Sequence, residues 1–451
     1  MVDQDDEASN LISRAKRYAG VSSGLAGIAA RGVGRWLGGK GLLDAGNARD
    51  AARVLGGLHG PLMKVAQVAG TLPDVFPPDF AAELAKLQSN APEMGVAFVR
   101  RRMAAELGRD WTAKFKSFDL KAAHAASLGQ VHRALGHDGR RLACKLQYPD
   151  MESAVEADLA QLKTVLALQR AAERHLDLRE IAAEVTERIR EELDYAREAA
   201  HMRLFGVMLR GHERIAVPEP VGALSTRRLL TMTWLDGAPF REVVKAPQAR
   251  RDDVARALYA AWWEPLYRFA VVHGDAHLGN YTLRADGGIN LLDFGCVRVF
   301  PARVPDALID LYRALRDDDR ALAARAYAKW GFAEVTDDLV DKMDVWARLV
   351  FGPLLHDRTR AIAEDEGLFA NGAQQIWALK QRLREGSTVR PPREFVFIAR
   401  AIVGLGAALV HLDARLNWQR MFEALIEGFD AEQVARRQRD ALAAADHPHA
   451  K

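Results

Sequence analysis

Cysteine is nearly absent from this chain: 451 residues include only two, Cys144 and Cys296, and they stand far apart. That excludes a disulfide framework and a thiolate metal cluster, both of which need several cysteines at defined spacing. Charge of one sign is also scarce. Sixty-three basic and 60 acidic side chains leave a formal +3, too small an excess for a surface that tracks nucleic acid. Long apolar runs are missing too. The most apolar stretch, Phe395 to Leu412, is interrupted by Arg400 and reads as a buried helix rather than a membrane span. The first residues, Met1-Val2-Asp3-Gln4-Asp5-Asp6-Glu7, are acidic where a secretory leader is basic. With the cysteine usage, this predicts a reducing, cytoplasmic setting.

What is present is an ordinary globular composition, 49% hydrophobic and 27% charged, which excludes wholesale disorder and fibrous classes. The length exceeds a single small core and predicts two or three packed units. Residues 1–46 mix Gly, Ala, Ser and Arg and predict a mobile or amphipathic arm, with the composition for a peripheral membrane contact. Residues 47–115 read as a helical extension punctuated by Pro73, Pro77, Pro78 and Pro92, with Phe80, Leu84 and Leu87 on one face. From 116 to 236 the pattern changes to strands and one long helix. Short β-compatible runs, Gly129 to Ala134 and Arg141 to Leu146, flank the turn Gly136-His137-Asp138-Gly139 and predict a hairpin. A helical stretch over 151–206, with Ile181, Val185 and Ile189 at four-residue steps, precedes the strand-like Arg228 to Trp234. Residues 237–330 read as helix around a compact hairpin at Asp286-Gly287-Gly288, and 331–451 as wholly helical. Strands, long helix, strands and then helices predict an α+β, protein-kinase-like bilobal fold with a helical N-terminal extension and a mostly helical C-terminal lobe.

The strongest chemical signal is His273-Gly274-Asp275-Ala276-His277-Leu278-Gly279-Asn280, followed after one hairpin by Leu291-Leu292-Asp293-Phe294-Gly295. Phosphoryl transfer needs a carboxylate near the accepting oxygen, amide and carboxylate oxygens on Mg²⁺, and a rigid hairpin to hold them. Asp275 is the candidate base or orienting carboxylate, and Asn280 and Asp293 are the candidate metal ligands. An Asp, four spacers and an Asn, then Asp-Phe-Gly beyond a hairpin, is the kinase catalytic-loop arrangement. His273 and His277 read as structural, bonded within the loop. Lys145 closes an apolar strand where a phosphate-pairing lysine belongs, and a lysine there demands a carboxylate partner. Glu198, in the acidic run Glu191 to Glu198, is the candidate. Backbone amides for phosphates are expected from the Ala-rich stretch before the hairpin, Ala125, Ala126, Ser127, Leu128, Gly129 and Gln130. Alanine in place of glycine restricts positive φ and predicts a stiffer loop.

These residues resemble the UbiB/AarF family of atypical kinases, which includes the mitochondrial ADCK proteins linked to coenzyme Q. The resemblance runs from about residue 47 to 425. It rests on Ala125-Ala126-Ser127-Leu128-Gly129-Gln130-Val131-His132, on Lys145-Leu146-Gln147-Tyr148-Pro149, on Glu192-Leu193-Asp194 and on Glu198. The family's Lys-x-Gly-Gln motif, which in relatives lies over the active site, corresponds to Lys64-Val65-Ala66-Gln67, with Ala66 in place of the glycine. The resemblance implies that Lys64 and Gln67, facing Glu192 and Asp194, form a regulatory cover. It also implies ATP or ADP as ligand, Mg²⁺ as cofactor, and a Mg-dependent atypical kinase or ATPase in lipid or quinone-related metabolism. The acceptor is then a small molecule, lipid or protein. Two other readings use the same residues: a phosphotransferase of the aminoglycoside or choline type, and a non-catalytic, nucleotide-gated scaffold.

Overall fold

The computed structural model describes residues 94–126, 128–148, 190–364 and 392–450. The chain divides into two units. The first comprises Met1–Glu93, Ala125–Gly129 and Tyr148–Arg190; within it the Tyr148 N–H donates to the Leu128 carbonyl at 3.1 Å. The second comprises Met94–His124, Gln130–Gln147 and Glu191–Lys451, and it carries both a small-lobe sheet and a helical lobe.

Strand β1 (Ser117–Phe118), β2 (His124–Ala126), β3 (Gly129–Leu135), β4 (Arg141–Gln147) and β6 (Leu229–Thr233) form the small-lobe sheet, ordered β1-β3-β4-β6 with β2 pairing β3. The β3–β4 turn is the one the sequence predicts. The Gly136 N–H donates to the Arg140 carbonyl at 2.9 Å, and Gly139 takes φ +80°, a conformation that favours glycine. Alternation decides which β4 side chains face the site. Leu142, Cys144 and Leu146 enter a small core with Val99 and Met103 of helix α1 (Val96–Leu107) and with Trp111 and Phe115. Ala143, Lys145 and Gln147 point the other way, and Gln147 donates to the Leu193 carbonyl at 2.6 Å. Burial pushes the Cys144 thiol up to about 12, and both cysteines are free thiols.

Helix α2 (Tyr195–Met208) lies after a break. The predicted continuous helix over 151–206 does not hold in its described part: residues 190–192 are helical, Leu193 turns, and Asp194 starts a new helix by accepting the Arg197 N–H. The lower lobe is led by α3 (Gln248–Phe269), whose inner face carries Val254, Leu258, Trp262 and Leu266 at four-residue steps. It runs directly into β8 (Val271–His273), which pairs antiparallel with β11 (Val297–Val299). The Asp286-Gly287-Gly288 hairpin joins β9 (Tyr281–Leu283) to β10 (Ile289–Leu291), flanked by β5 (Ile215–Ala216) and β7 (Ala238–Pro239). The stretch between β8 and β9, and the one between β10 and β11, are therefore each clamped at both ends. Helices α4 (Arg303–Asp317), α5 (Arg320–Trp330), α6 (Asp337–Phe351), α7 (Arg393–Leu412), α8 (Trp418–Ile426) and α9 (Ala431–Ala444) complete the lobe around fully buried Trp262, Trp330, Trp346 and Trp418. The region read as wholly helical also contains a two-residue strand pair, β12 (Arg360–Ala361) with β13 (Arg415–Leu416). Helix α7 is the apolar stretch, and its Ile398, Ala401, Leu405 and Leu412 are buried in protein. None of the described helices is long and apolar enough to cross a membrane.

Candidate active site

The two clamped loops and two neighbouring elements, β4 and α2, supply the polar groups. Lys145 Nζ donates to Glu198 Oε1 at 2.8 Å and Oε2 at 3.0 Å, and to Asp293 Oδ2 at 3.2 Å. Burial opposes the charge on Lys145, but the carboxylates of Asp293 and Glu198 outweigh it and hold the ammonium well above the ordinary lysine range. Burial also pushes the Glu198 carboxyl up to about 7, against the pull of Lys145. For Asp293 burial is again the largest influence, yet the Lys145 ammonium and the Gly295 amide overcome it and hold the carboxyl down at about 2.

The sign of the resulting pH dependence follows from linkage. A carboxyl raised from an ordinary 4.5 to about 7 contributes stability that is present below the lower value and lost as pH rises through the higher one. Asp293 acts in the opposite sense below pH 4. Between pH 5 and 8, wild-type protein should therefore lose stability on the order of a few kcal/mol through Glu198. Chemical denaturation of Glu198→Gln across this range should show that slope flattened, and an unchanged slope would place the titration elsewhere.

The catalytic-loop segment is held by its own side chains. Asp275 Oδ1 accepts the His277 N–H at 3.0 Å and Oδ2 accepts from Asn280 Nδ2 at 3.0 Å. His273 Nδ1 accepts the Asp275 N–H at 3.2 Å, so Nε2 is the nitrogen that donates to the Asp293 carbonyl, at 2.7 Å. One imidazole thus ties the Asp275 loop to the Asp293 loop. His277 Nδ1 accepts the Gly279 N–H at 3.1 Å. From the other side, His201 donates through Nδ1 to the Phe294 carbonyl at 2.9 Å. Burial drives its pKa down to about 3, so it stays neutral at this anchor.

Gly274 has a packing reason. A Cβ there would stand 2.6 Å from Cys296 Sγ and 2.3 Å from Phe397 Cζ, so any larger residue would have to displace both side chains, one of them on α7. Arg400 of α7 reaches the same place, 3.4 Å from both the Gly274 carbonyl and Cys296 Sγ.

Other predicted site residues fall differently. Gln130 has its side chain turned inward: Oε1 accepts the Met94 N–H at 2.7 Å, and Nε2 meets His132 Nε2 at 2.9 Å. His132 in turn donates through Nδ1 to the Asp119 carbonyl at 2.8 Å. This buried chain cross-links β3 to the entry of α1 and to the segment after β1. Gln130→Leu would take the side-chain acceptor from the Met94 amide and break the bond to His132, and should lower stability by about 1–3 kcal/mol in urea denaturation; a neutral outcome would remove the network's structural importance. Ala125, Ala126, Leu128 and Gly129 belong to the first unit, and Ser127, Lys64 and Gln67 lie outside the described residues. Asp194 spends its carboxylate as the α2 cap. Glu192 lies beside Gly295, its Cγ 3.9 Å from where a Gly295 Cβ would stand. Sequence reasoning missed Glu191, which is buried and pairs with Arg197 at 2.7 Å and Arg298 at 2.8 Å. Only its place at the head of the acidic run marked it.

Mg²⁺ fits the residues present. Asn280 commits its Nδ2 to Asp275, which leaves Oδ1 as the outer end of the amide, accepting no hydrogen bond among the described residues. Asp293 offers a low-pKa carboxylate, and one ammonium against the carboxylates of Glu198, Asp293 and Asp275 leaves a negative excess when all are ionised. Hard oxygens and negative charge are what a small divalent cation takes.

A small-lobe lysine paired with a helix carboxylate, above a looped Asp and Asn and a later Asp-Phe-Gly, defines a protein-kinase-like protein. Residues 86–327 match the ABC1 atypical kinase-like domain, and the chain belongs to that family. It is 25% identical over 412 residues to the atypical kinase coq-8, mitochondrial, of Caenorhabditis elegans, an alignment covering 88% of this chain and 54% of the worm protein. To the atypical kinase COQ8B, mitochondrial, of Danio rerio it is 26% identical over 441 residues, covering 94% of this chain and 70% of that protein. The chain thus spans about half the length of the worm relative. Among solved structures, the Rv3197–erythromycin complex from Mycobacterium tuberculosis superposes with a TM-score of 0.61 at 30% identity, covering 83% of this chain and 94% of that one.

Proposed function

We propose that this chain binds ATP or ADP with Mg²⁺ and acts as an atypical kinase or ATPase of the UbiB/AarF type, in lipid or quinone-related metabolism. The observation that carries this reading is Lys145, whose ammonium is held at 2.8 Å from Glu198 and 3.2 Å from Asp293. The pair positions a cation for nucleotide phosphates directly beside a metal-binding carboxylate. In this reading Asn280 Oδ1 and Asp293 hold the Mg²⁺, which when bound neutralises phosphate charge. Asp275 orients the attacking hydroxyl or water and accepts its proton. His273 and His201 keep the two loops in register. The Ala-rich stretch, residues 125–130, supplies backbone amides to the phosphates, and Lys64 with Gln67 supplies the cover.

ABC1 membership supports this reading over the aminoglycoside- or choline-type alternative. A nucleotide-gated scaffold keeps one observation in its favour: both Asp275 oxygens are already engaged within the loop. Following the γ-phosphate of labelled ATP separates the readings. Incubation with lipid, quinone-like, hydroxylated small-molecule and protein acceptors should give Mg-dependent release or transfer. Tight binding with no turnover under any of these conditions would favour the scaffold.

A further inference from the structure

Lys145 has one more neighbour, which the chemistry above leaves unused. The Tyr195 ring lies beneath its ammonium, with Nζ 5.1 Å from the ring centroid. Tyr195 is 1% exposed, and among the described residues its buried hydroxyl has no hydrogen-bond partner. Tyr195 and Glu198 stand three apart on α2, so one helical turn delivers both an aromatic face and a carboxylate to the same cation. The first residue of a helix is ordinarily free to fray, but this one is fixed. Asp194 caps the turn through the Arg197 N–H, and the Tyr195 N–H donates to the Arg227 carbonyl at 3.1 Å.

We infer that Tyr195 is a positioning residue for Lys145, acting through the face of its ring and not through its hydroxyl. The inference rests on the nucleotide reading for its consequence, though not for its geometry. Besides Glu198 and Asp293, the ring face gives the ammonium a third point of attraction, which narrows where Nζ can sit. The ring quadrupole acts strongly because the site is desolvated. The unbonded hydroxyl supports the same division of labour. An orphaned buried hydroxyl destabilises, so the ring is the part of the side chain that the site uses.

Tyr195→Leu, Tyr195→Phe, Lys145→Met and the double variant Tyr195→Leu/Lys145→Met test this by two readouts. The first is calorimetric affinity for Mg-ATP. Leucine should raise Kd by about five-fold, and phenylalanine should rescue it. The second needs no nucleotide: a double-mutant cycle in chemical denaturation, where Tyr195→Leu should lose part of its effect once Lys145 is methionine. Additive effects in the cycle would overturn the inference, because a residue that only fills space couples to no charge. Equal impairment by phenylalanine and leucine would overturn it by placing the role on the hydroxyl. Wild-type protein that fails to bind Mg-ATP would defeat the nucleotide reading alone, and the cycle would still decide the ring–ammonium contact.

Discussion

Asp293→Asn is expected to weaken Mg-nucleotide binding by about 100-fold or more while leaving the protein folded. Asp293 is the only carboxylate in the set that is both held at low pKa, about 2, and placed on the Asp-Phe-Gly loop beside Lys145. An amide retains the oxygen that accepts the Gly295 N–H, so the loop keeps its internal bond. It loses the charge that a hard cation requires. Lys145 keeps both Glu198 oxygens, which limits the structural cost. Affinity is best measured by titration calorimetry at fixed Mg²⁺, with thermal unfolding as the check on folding. Unchanged affinity in a folded variant would take the metal away from Asp293.

The second large effect is on turnover. Asp275→Asn should reduce ATP turnover by about 10²–10⁴-fold, the range for a positioned acid–base group, with nucleotide affinity changed only a few-fold. The two predictions differ because the two carboxylates differ in setting. Asp293 meets a cation at 3.2 Å, whereas among the described residues the Asp275 carboxylate bonds within its loop, to the His277 amide and Asn280. Single-turnover measurement with saturating Mg-ATP distinguishes them, and turnover retained in Asp275→Asn would leave this residue a loop brace.

How much of this could be read in the sequence depends on how far apart the partners lie. The spacing of Asp275, Asn280 and Asp293 is legible because one short hairpin fixes it, and the structure ties the Asp275 and Asp293 loops through the His273 imidazole while Asn280 bonds to Asp275. Lys145 and Glu198 were legible for a different reason. A lysine in an apolar strand needs a carboxylate, and few stood in the right place. The bilobal fold followed from the order of strand and helix patterns, with the Gly136–Gly139 turn and the 286–288 hairpin as punctuation. That Asp194 caps a new helix is not legible, because periodicity extends through a one-residue cap and does not register it. The structural task of the Gln130 side chain is not legible, since nothing local reveals that Met94, 36 residues away, needs it. The same holds for Arg400 over Gly274, separated by 126 residues, and for the ring of Tyr195 under Lys145. Contacts of that kind arise from packing, and a pattern read along the chain contains no signal for them.

The central claim is that the Lys145, Asn280 and Asp293 groups form one Mg-nucleotide site. Calorimetric titration of the wild-type chain with ATP, once with Mg²⁺ and once with the metal chelated, tests it most directly. Saturable binding of one nucleotide per chain is expected with Mg²⁺, and at least about ten-fold weaker binding without it. Absent binding, or equal affinity in both titrations, would contradict it.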